Sequence, residues 1–343
     1  MKFMSKLNVL IAGSTGYIGI QLIKLLLKHN NINIKYLCGS SSVGKSISNY
    51  DKTVKNYKLP KIKKFSFKYL NNIDVVFTAL PNGEAQKISN SLLPNNILID
   101  LSADFRLSKA KDYLKWYKIK HKSIKNIKNS IYALPEISKN NIKKYKIISC
   151  PGCYPTSALL PLIPLIKKKL IKFKNIIIDS KSGYSGAGRG VHKKYKDKNL
   201  YESLSAYGVG NHRHNSEIEQ ELSKYAKTKI SFSFTPHLTP MFRGILSTIY
   251  VDINSNSSLT KITNELIKYY KKDDFIKILK SNTFLSTNNV INTNYCQISV
   301  CNSKLKNKLI ILSAIDNLIK GGAGQAVQNL NNYYNFNIKK GLS

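Results

Sequence analysis

The chain opens by alternating two periodicities. Residues 7–12 form a short apolar run. Beyond a glycine-rich turn, Ile20, Leu22, Ile23, Leu25, Leu26 and Leu27 recur at the spacing of a buried helix face that ends near His29. Further apolar runs at 34–38, 74–80, 97–102 and 146–150 predict more strands, with helical segments between some of them. Strands fed through helices pair in parallel, because each crossover returns the chain to the same end of the sheet. The first half is therefore expected to be an α/β fold with a Rossmann-like doubly wound parallel sheet.

After Cys150 the pattern changes. Longer β-rich runs at 176–181, 230–237, 245–253, 295–301 and 309–315 predict a second, α+β domain with a mixed sheet. Helical spacing falls at 156–170, 216–224, 260–270 and 324–331, the last returning to the first domain. The expected division is 1–152, with 317–343 returning to it, and 153–316. No internal repeat is visible. The Lys-rich tract at 109–128 carries Trp116 and Tyr117, rings that usually pack against something, so composition alone does not make it a linker.

Composition refines this plan. With 343 residues and 42% hydrophobic content the chain can bury a sizeable core and suits two domains. No apolar run approaches the ~20 residues of a membrane span and no leader-like segment precedes the first strand, so a soluble, cytoplasmic protein with no membrane partner is expected. Five cysteines, an odd number, do not make a disulfide framework, and reduced thiols are expected. The net charge of +37 invites a nucleic-acid reading, since a basic surface releases counterions from phosphates. Yet Lys, Asn, Ile and Tyr, residues of A/T-rich codons, crowd the sequence while Arg and Trp are scarce. Compositional drift accounts for the charge without a nucleic-acid partner, and makes the clusters at 61–64 and 193–198 solvated faces. The arginines then become informative. Only Arg106, Arg189, Arg213 and Arg243 occur, and the guanidinium fork holds a carboxylate or phosphate as Lys cannot. All four are candidate substrate contacts, with structural ion pairs as the competing use.

Three segments carry candidate chemistry. Gly13, Ser14, Thr15, Gly16, Tyr17, Ile18 and Gly19 lie between a strand and a helix, where glycines permit a tight turn and let backbone N–H groups approach a pyrophosphate; an ordinary glycine turn is the alternative. At the end of the second strand, where an acid would bond the ribose of NAD, stand Gly39, Ser40, Ser41 and Ser42, followed by Lys45. Hydroxyls and a cation favour the 2′-phosphate of NADP. In SCPGCYPT, residues 149–156, Cys153 stands before a helix beginning near Thr156, where the dipole lowers a thiol's pKa below the free value of ~8.5. Cys150, still on the strand, reads as packing. A zinc site made with Cys296 and Cys301, or an inert core thiol, competes with a nucleophile here. Finally, His212 and His214 flank Arg213, and imidazole can move protons near neutral pH; a solvated or capping pair is the alternative.

Eight segments stand in one order: GSTGYIG at Gly13, LSADFRL at Leu101, YALPE at Tyr132, PGCYPT at Pro151, GYSGAGR at Gly183, HRHNSEI at His212, PHLTPMFRG at Pro236 and DNLIKGGAGQAVQN at Asp316. Together they resemble the N-acetyl-γ-glutamyl-phosphate reductase family, a relative of aspartate-semialdehyde dehydrogenase, over most of the chain. The resemblance implies NADPH-dependent reduction of that acyl phosphate to N-acetylglutamate semialdehyde in arginine biosynthesis, in a dimer or tetramer. It implies that Cys153 is the nucleophile and that the catalytic histidine lies in HRH, His212 being preferred to His214. It implies that residues 182–188, Gly186 among them, wrap the nicotinamide end of NADPH, with Asn317 near it; no metal is expected. The same chemistry on an aspartyl or acetyl-aminoadipyl phosphate is the nearest alternative; a basic nucleic-acid-binding protein on a reductase fold is one of another class. Two departures are visible: Ser216 where the family often has proline, and Gly322 where alanine is usual.

Overall fold

The computed structural model describes residues 6–190 and 202–342. The basic cluster at 193–198 lies outside the described residues. The chain folds as two compact units, 1–151 with 322–343, and 152–321.

The first unit is a six-stranded sheet of β1 (Leu7–Ala12), β2 (Ile32–Cys38), β3 (Val75–Thr78), β4 (Ile97–Asp100), β5 (Ser130–Tyr132) and β6 (Ile147–Ser149). Its order is β2-β1-β3-β4-β6-β5, and every neighbouring pair is parallel. Val9, Leu10 and Ile11 are fully buried, which is why β1 reads as an apolar run rather than an alternation. Helix α1 (Tyr17–Leu27) buries Ile20, Leu22, Ile23, Leu25 and Leu26. Shorter helices follow: α2 (Glu84–Ser89), α3 (Ala110–Tyr117), α4 (Ile124–Ile127) and α5 (Pro135–Ser138). The lysine tract thus contains a packed helix, with Tyr113 stacked on Tyr117 at 4.6 Å. The chain leaves β1 for β2 on one side and returns to β3 on the other, so the strand order reverses at the end of β1, the position where doubly wound sheets bind ligands.

In the second unit, β7 (Ile176–Gly183), β8 (Ser205–Ala206), β9 (Phe232–Thr239), β10 (Ile245–Asp252), β11 (Ile276–Ile278), β12 (Cys296–Asn302) and β13 (Lys308–Ile315) are ordered β11-β12-β13-β10-β7-β9-β8. The β7/β9 and β11/β12 pairs are parallel and the rest antiparallel, so the sheet is mixed. Helices α6 (Cys153–Lys167), α7 (His214–Ala226) and α8 (Leu259–Tyr270) belong to this unit. A final helix, α9 (Gly324–Tyr334), lies in the first unit, where Gln328 bonds Glu136 at 2.8 Å and Asn329 donates to the Ala133 carbonyl at 2.9 Å.

Helix α6 begins at Cys153, ahead of the start near Thr156 that the sequence suggests. Pro155 occupies its first turn, where an N–H has no intrahelical acceptor to lose, and the Thr156 N–H already donates to the Gly152 carbonyl at 2.9 Å. Farther along, Pro161 and Pro164 interrupt the ladder. Pro164 leaves the Leu160 carbonyl without its helical donor, and the buried Tyr270 hydroxyl of α8 supplies one at 2.5 Å.

Among the described residues, no helix is long and apolar enough to cross a membrane.

Candidate active site

The glycine turn after β1 fits a dinucleotide. A Cβ on Gly13 would stand 2.2 Å from the Ala79 carbonyl oxygen, and one on Gly19 would stand 2.3 Å from the Gly13 oxygen, so side chains at either position would force the turn away from β3 and α1. Gly13 also has φ +87°, a conformation costly for any residue with a Cβ. A cavity of about 470 Å³ opens beside the turn, lined by Gly13, Cys38, Gly39 and Ser40 on one side, Lys64, Phe65 and Phe67 on another, and Leu80, Pro81, Glu84, Lys87 and Ile88 on a third. Ser14 is fully buried with its hydroxyl on the Cys38 carbonyl at 3.1 Å, so its side chain braces the turn. Thr15, Gly16, Tyr17 and Ile18 enter α1 half-buried; Ser40 lines the cavity and Ser41 is exposed beside it. Lys64, read from sequence as part of a solvated face, lines the cavity instead.

In the second unit, Gly152 caps α6 and Cys153 occupies the first turn. Aligned peptide dipoles put partial positive charge there, which favours a thiolate. A fully buried carboxylate on α7, Glu217, accepts the Gly152 N–H at 2.9 Å through Oε2, while its Oε1 lies 3.7 Å from His214 Nε2. The His214 ring covers Gly152 so closely that a Cβ there would meet Nε2 at 2.3 Å. His212 stands apart from this contact. Its Nδ1 accepts the His214 backbone N–H at 3.1 Å, so in the neutral ring the proton sits on Nε2. The His212 ring packs edge-on against Tyr154, Tyr207 and His214, at centroid distances of 5.7, 5.4 and 4.7 Å. Burial pushes the Tyr154 phenol far up, with Tyr207 and Cys153 adding to it, so Tyr154 stays neutral. Glu217 and Tyr154 escaped the sequence reading; the signal for Glu217 was its place three residues after His214, one helical turn away.

The four arginines have different surroundings. Arg106 is buried, its Nε donating to the Cys150 carbonyl at 2.8 Å and Nη2 to the Leu101 carbonyl at 3.2 Å, just past the ends of β6 and β4. Arg243 pairs with the buried Asp316 carboxylate at 3.0 Å and bonds Asn292, an internal ion pair. Arg189 and Arg213 are exposed. Asn317 is buried and acts on backbone, accepting the Gly244 N–H at 2.7 Å and donating to Ser185 Oγ at 3.0 Å. Gly186 lies beside it: a Cβ there would be 3.6 Å from Asn317 Nδ2. Ser216, at the position of the usual proline, closes the first turn of α7 by donating to the Arg213 carbonyl at 2.6 Å.

All five cysteines are free thiols, and only Cys153 is not buried. Burial pushes the Cys150 and Cys38 thiols up to about 12, leaving both protonated and inert. Cys296 and Cys301 lie in the core of the second sheet beside Ser313 and Ser299. Among the described residues, no cluster of His, Cys, Asp or Glu could hold a metal ion.

A doubly wound unit followed by a mixed-sheet unit is an arrangement that this chain shares with the semialdehyde dehydrogenases. The family model described as "Semialdehyde dehydrogenase, NAD binding domain" matches residues 8–145, and "Semialdehyde dehydrogenase, dimerisation domain" matches 153–317. Among solved structures, aspartate semialdehyde dehydrogenase II of Vibrio cholerae superimposes with a TM-score of 0.71 at 16% identity, covering 97% of this chain and 99% of its own. Sequence relatives narrow the class. An N-acetyl-γ-glutamyl-phosphate reductase of Ehrlichia canis is 41% identical over 98% of each chain, and a probable chloroplastic one of Arabidopsis thaliana is 42% identical over 94% of this chain and 80% of its own. The chain belongs to the N-acetyl-γ-glutamyl-phosphate reductase family.

Proposed function

We propose that this chain uses NADPH to reduce N-acetyl-γ-glutamyl phosphate to N-acetyl-L-glutamate 5-semialdehyde and phosphate, a step of arginine biosynthesis, with Cys153 as nucleophile. The observation that carries the reading is Cys153 in the first turn of α6, the least buried of the cysteines, in a chain 41% identical to a named reductase over nearly its full length. The thiolate attacks the acyl carbon and phosphate departs, leaving a thioester on Cys153. NADPH, when bound, supplies the hydride that reduces this thioester. The resulting hemithioacetal collapses to aldehyde as the thiolate is released.

We assign the proton transfer to His212, whose neutral ring carries its proton on Nε2 and has a backbone N–H holding Nδ1. His214 then serves as a buttress, held between Gly152 and Glu217. Glu217 fixes the Gly152 peptide and so the entry into α6. The glycine turn from Gly13 to Gly19, with Ser40, would hold the pyrophosphate and adenosine end of the cofactor; the loop at 182–188, pinned by Asn317, would meet the nicotinamide end. Arg189 and Arg213 are the arginines left exposed for substrate phosphate or carboxylate, while Arg106 and Arg243 hold the backbone and Asp316 that the site is built on.

The partner is a second copy of the chain, in a dimer or tetramer. Alternation along β7, β10 and β13 leaves Ile177, Leu246, Tyr250, Ile310 and Leu312 on the less buried sheet face, together with Thr248 and the ion pairs Lys181–Asp179 and Lys308–Asp252, a mixed apolar and charged surface suited to a symmetric contact. Free thiols suit a reducing compartment such as the cytoplasm.

The test runs the reaction backwards, with phosphate, NADP and N-acetylglutamate semialdehyde, aspartate semialdehyde or the aminoadipate analogue. NADPH should form with the first and be abolished in Cys153→Ser, whose NADPH binding persists. Turnover by the serine variant would refute the thiolate mechanism, and formation with another aldehyde alone would refute the substrate.

A further inference from the structure

The cavity at the ends of β1 and β2 contains two lysines of different standing. Lys87 is paired with Glu84 at 2.7 Å, so those charges cancel. Among the described residues, Lys64 has no carboxylate partner, and the cavity keeps one positive charge.

The fold fixes where that charge enters. Residues 62–64 run beside the end of β2: the Lys63 N–H donates to the Leu37 carbonyl at 2.9 Å, and the Gly39 N–H donates to the Lys63 carbonyl at 3.0 Å. Ile62 is held in the same way by the Lys45 carbonyl at 3.0 Å. Side chains alternate along an extended segment. Lys63 leaves on one side, over the stacked rings of Tyr36 and Tyr69, and Lys64 leaves on the other, into the cavity wall beside Gly39 and Ser40. The end of β2 is where a doubly wound fold reads the adenosine ribose, and no carboxylate from β2 stands there to accept ribose hydroxyls. Phe65 and Phe67 add apolar rings to the same wall, packed edge-on at 5.3 Å. Lys45, the cation nearest in sequence to the serines, is exposed and its side chain is not among those lining this cavity.

We propose that Lys64, together with the Ser40 hydroxyl, reads the 2′-phosphate and makes the chain choose NADP(H) over NAD(H). This rests on the reading above that the glycine turn holds a dinucleotide. A flexible ammonium donates up to three hydrogen bonds to a phosphate dianion and finds nothing comparable on a free 2′-hydroxyl, so it contributes to one cofactor and not the other.

Dissociation constants test this without turnover. NADPH, NADH, 2′,5′-ADP and 5′-ADP are titrated calorimetrically into the wild type, Lys64→Ala, Lys64→Arg, Lys64→Glu and Lys45→Ala. Lys64→Ala should weaken NADPH and 2′,5′-ADP about tenfold or more, the usual scale for losing a charge-assisted contact, and leave NADH and 5′-ADP unchanged. Lys64→Arg should recover most of the loss, and Lys64→Glu should reverse the preference. Equal weakening of all four ligands, an unchanged NADPH affinity in Lys64→Ala, or a selective loss in Lys45→Ala would overturn the proposal. A wild type that binds no dinucleotide would overturn the functional reading and this one with it, whereas selective binding untouched by Lys64→Ala removes only the role of Lys64.

Discussion

Replacing Gly321 with alanine should disable the nucleophile without touching the cofactor unit. The turn Ile319–Ala323 is a π-helix, and it lays Gly321 against Cys153: a Cβ at 321 would stand 2.7 Å from the Cys153 Cβ, 3.1 Å from its Cα and 3.3 Å from Ile315 Cδ1. Carbon atoms rest at about 3.5–4.0 Å, so the two residues must part by about 1 Å. Neither can yield cheaply. Every residue of α6 from Tyr154 to Ile166 is buried, and Ile315 is fully buried. Overpacking of this kind costs about 1–3 kcal/mol of stability, and about 1 Å of displacement at a reacting atom costs on the order of 100-fold in rate. Two measurements check this: kcat for phosphate-dependent oxidation of the semialdehyde, and the rate at which iodoacetamide labels Cys153. Both should change in Gly321→Ala while the NADPH dissociation constant stays at its wild-type value. A folded Gly321→Ala protein with wild-type kcat would refute the claim that this contact sets the position of the sulfur.

Two further perturbations probe the scaffold. Tyr270→Phe removes the donor that the Leu160 carbonyl receives in place of the Pro164 N–H, and should lower unfolding free energy by about 1–3 kcal/mol, read from the denaturant midpoint; an unmoved midpoint would mean that the carbonyl is satisfied some other way. Asp100 is fully buried, and burial together with the neighbouring Asp104 carboxylate pushes its carboxyl up to about 6. A raised folded value means that the native state holds this proton more tightly than the unfolded chain. The stabilisation that the protonated form provides is therefore full below the ordinary carboxylate range and is lost as pH rises through about 6. Asp100→Asn, which keeps an acceptor for Thr78 and the Ser102 N–H, should accordingly gain stability over the wild type as pH climbs through that window and hold the gain above it; a gain independent of pH would contradict the shift.

Much of the first unit is legible in the sequence because β3 and β4 are buried throughout and β1 from Val9 to Ala12, so that each shows as a mainly apolar run. The glycines that shape the turn after β1 are legible for a related reason, since backbone packs where their side chains would be. The start of α6 is harder to read, because Pro151, Gly152 and Pro155 look like helix breakers and only the geometry shows Gly152 as a cap and Pro155 in a turn that needs no N–H. Strands β5, β8 and β11 are two or three residues long and too short to display any period. Lys64 was hidden for another reason: a run of lysines has the same appearance on a solvated face and on a cavity wall, and only the bridge between Cys38 and Lys63 separates them. The scarce arginines pointed to anions, but for Arg243 the anion is internal, the carboxylate of Asp316.

The bond between Tyr270 and the Leu160 carbonyl also carries a history. A proline at 164 leaves the Leu160 carbonyl needing another donor, and the hydroxyl at 270 answers that need only while the proline remains. The two positions, far apart in the chain, should therefore change together among relatives: a residue with an N–H at 164 frees 270 to drift, and the loss of the hydroxyl first makes the proline a burden. The same substitution would then be harmless in one lineage and damaging in another.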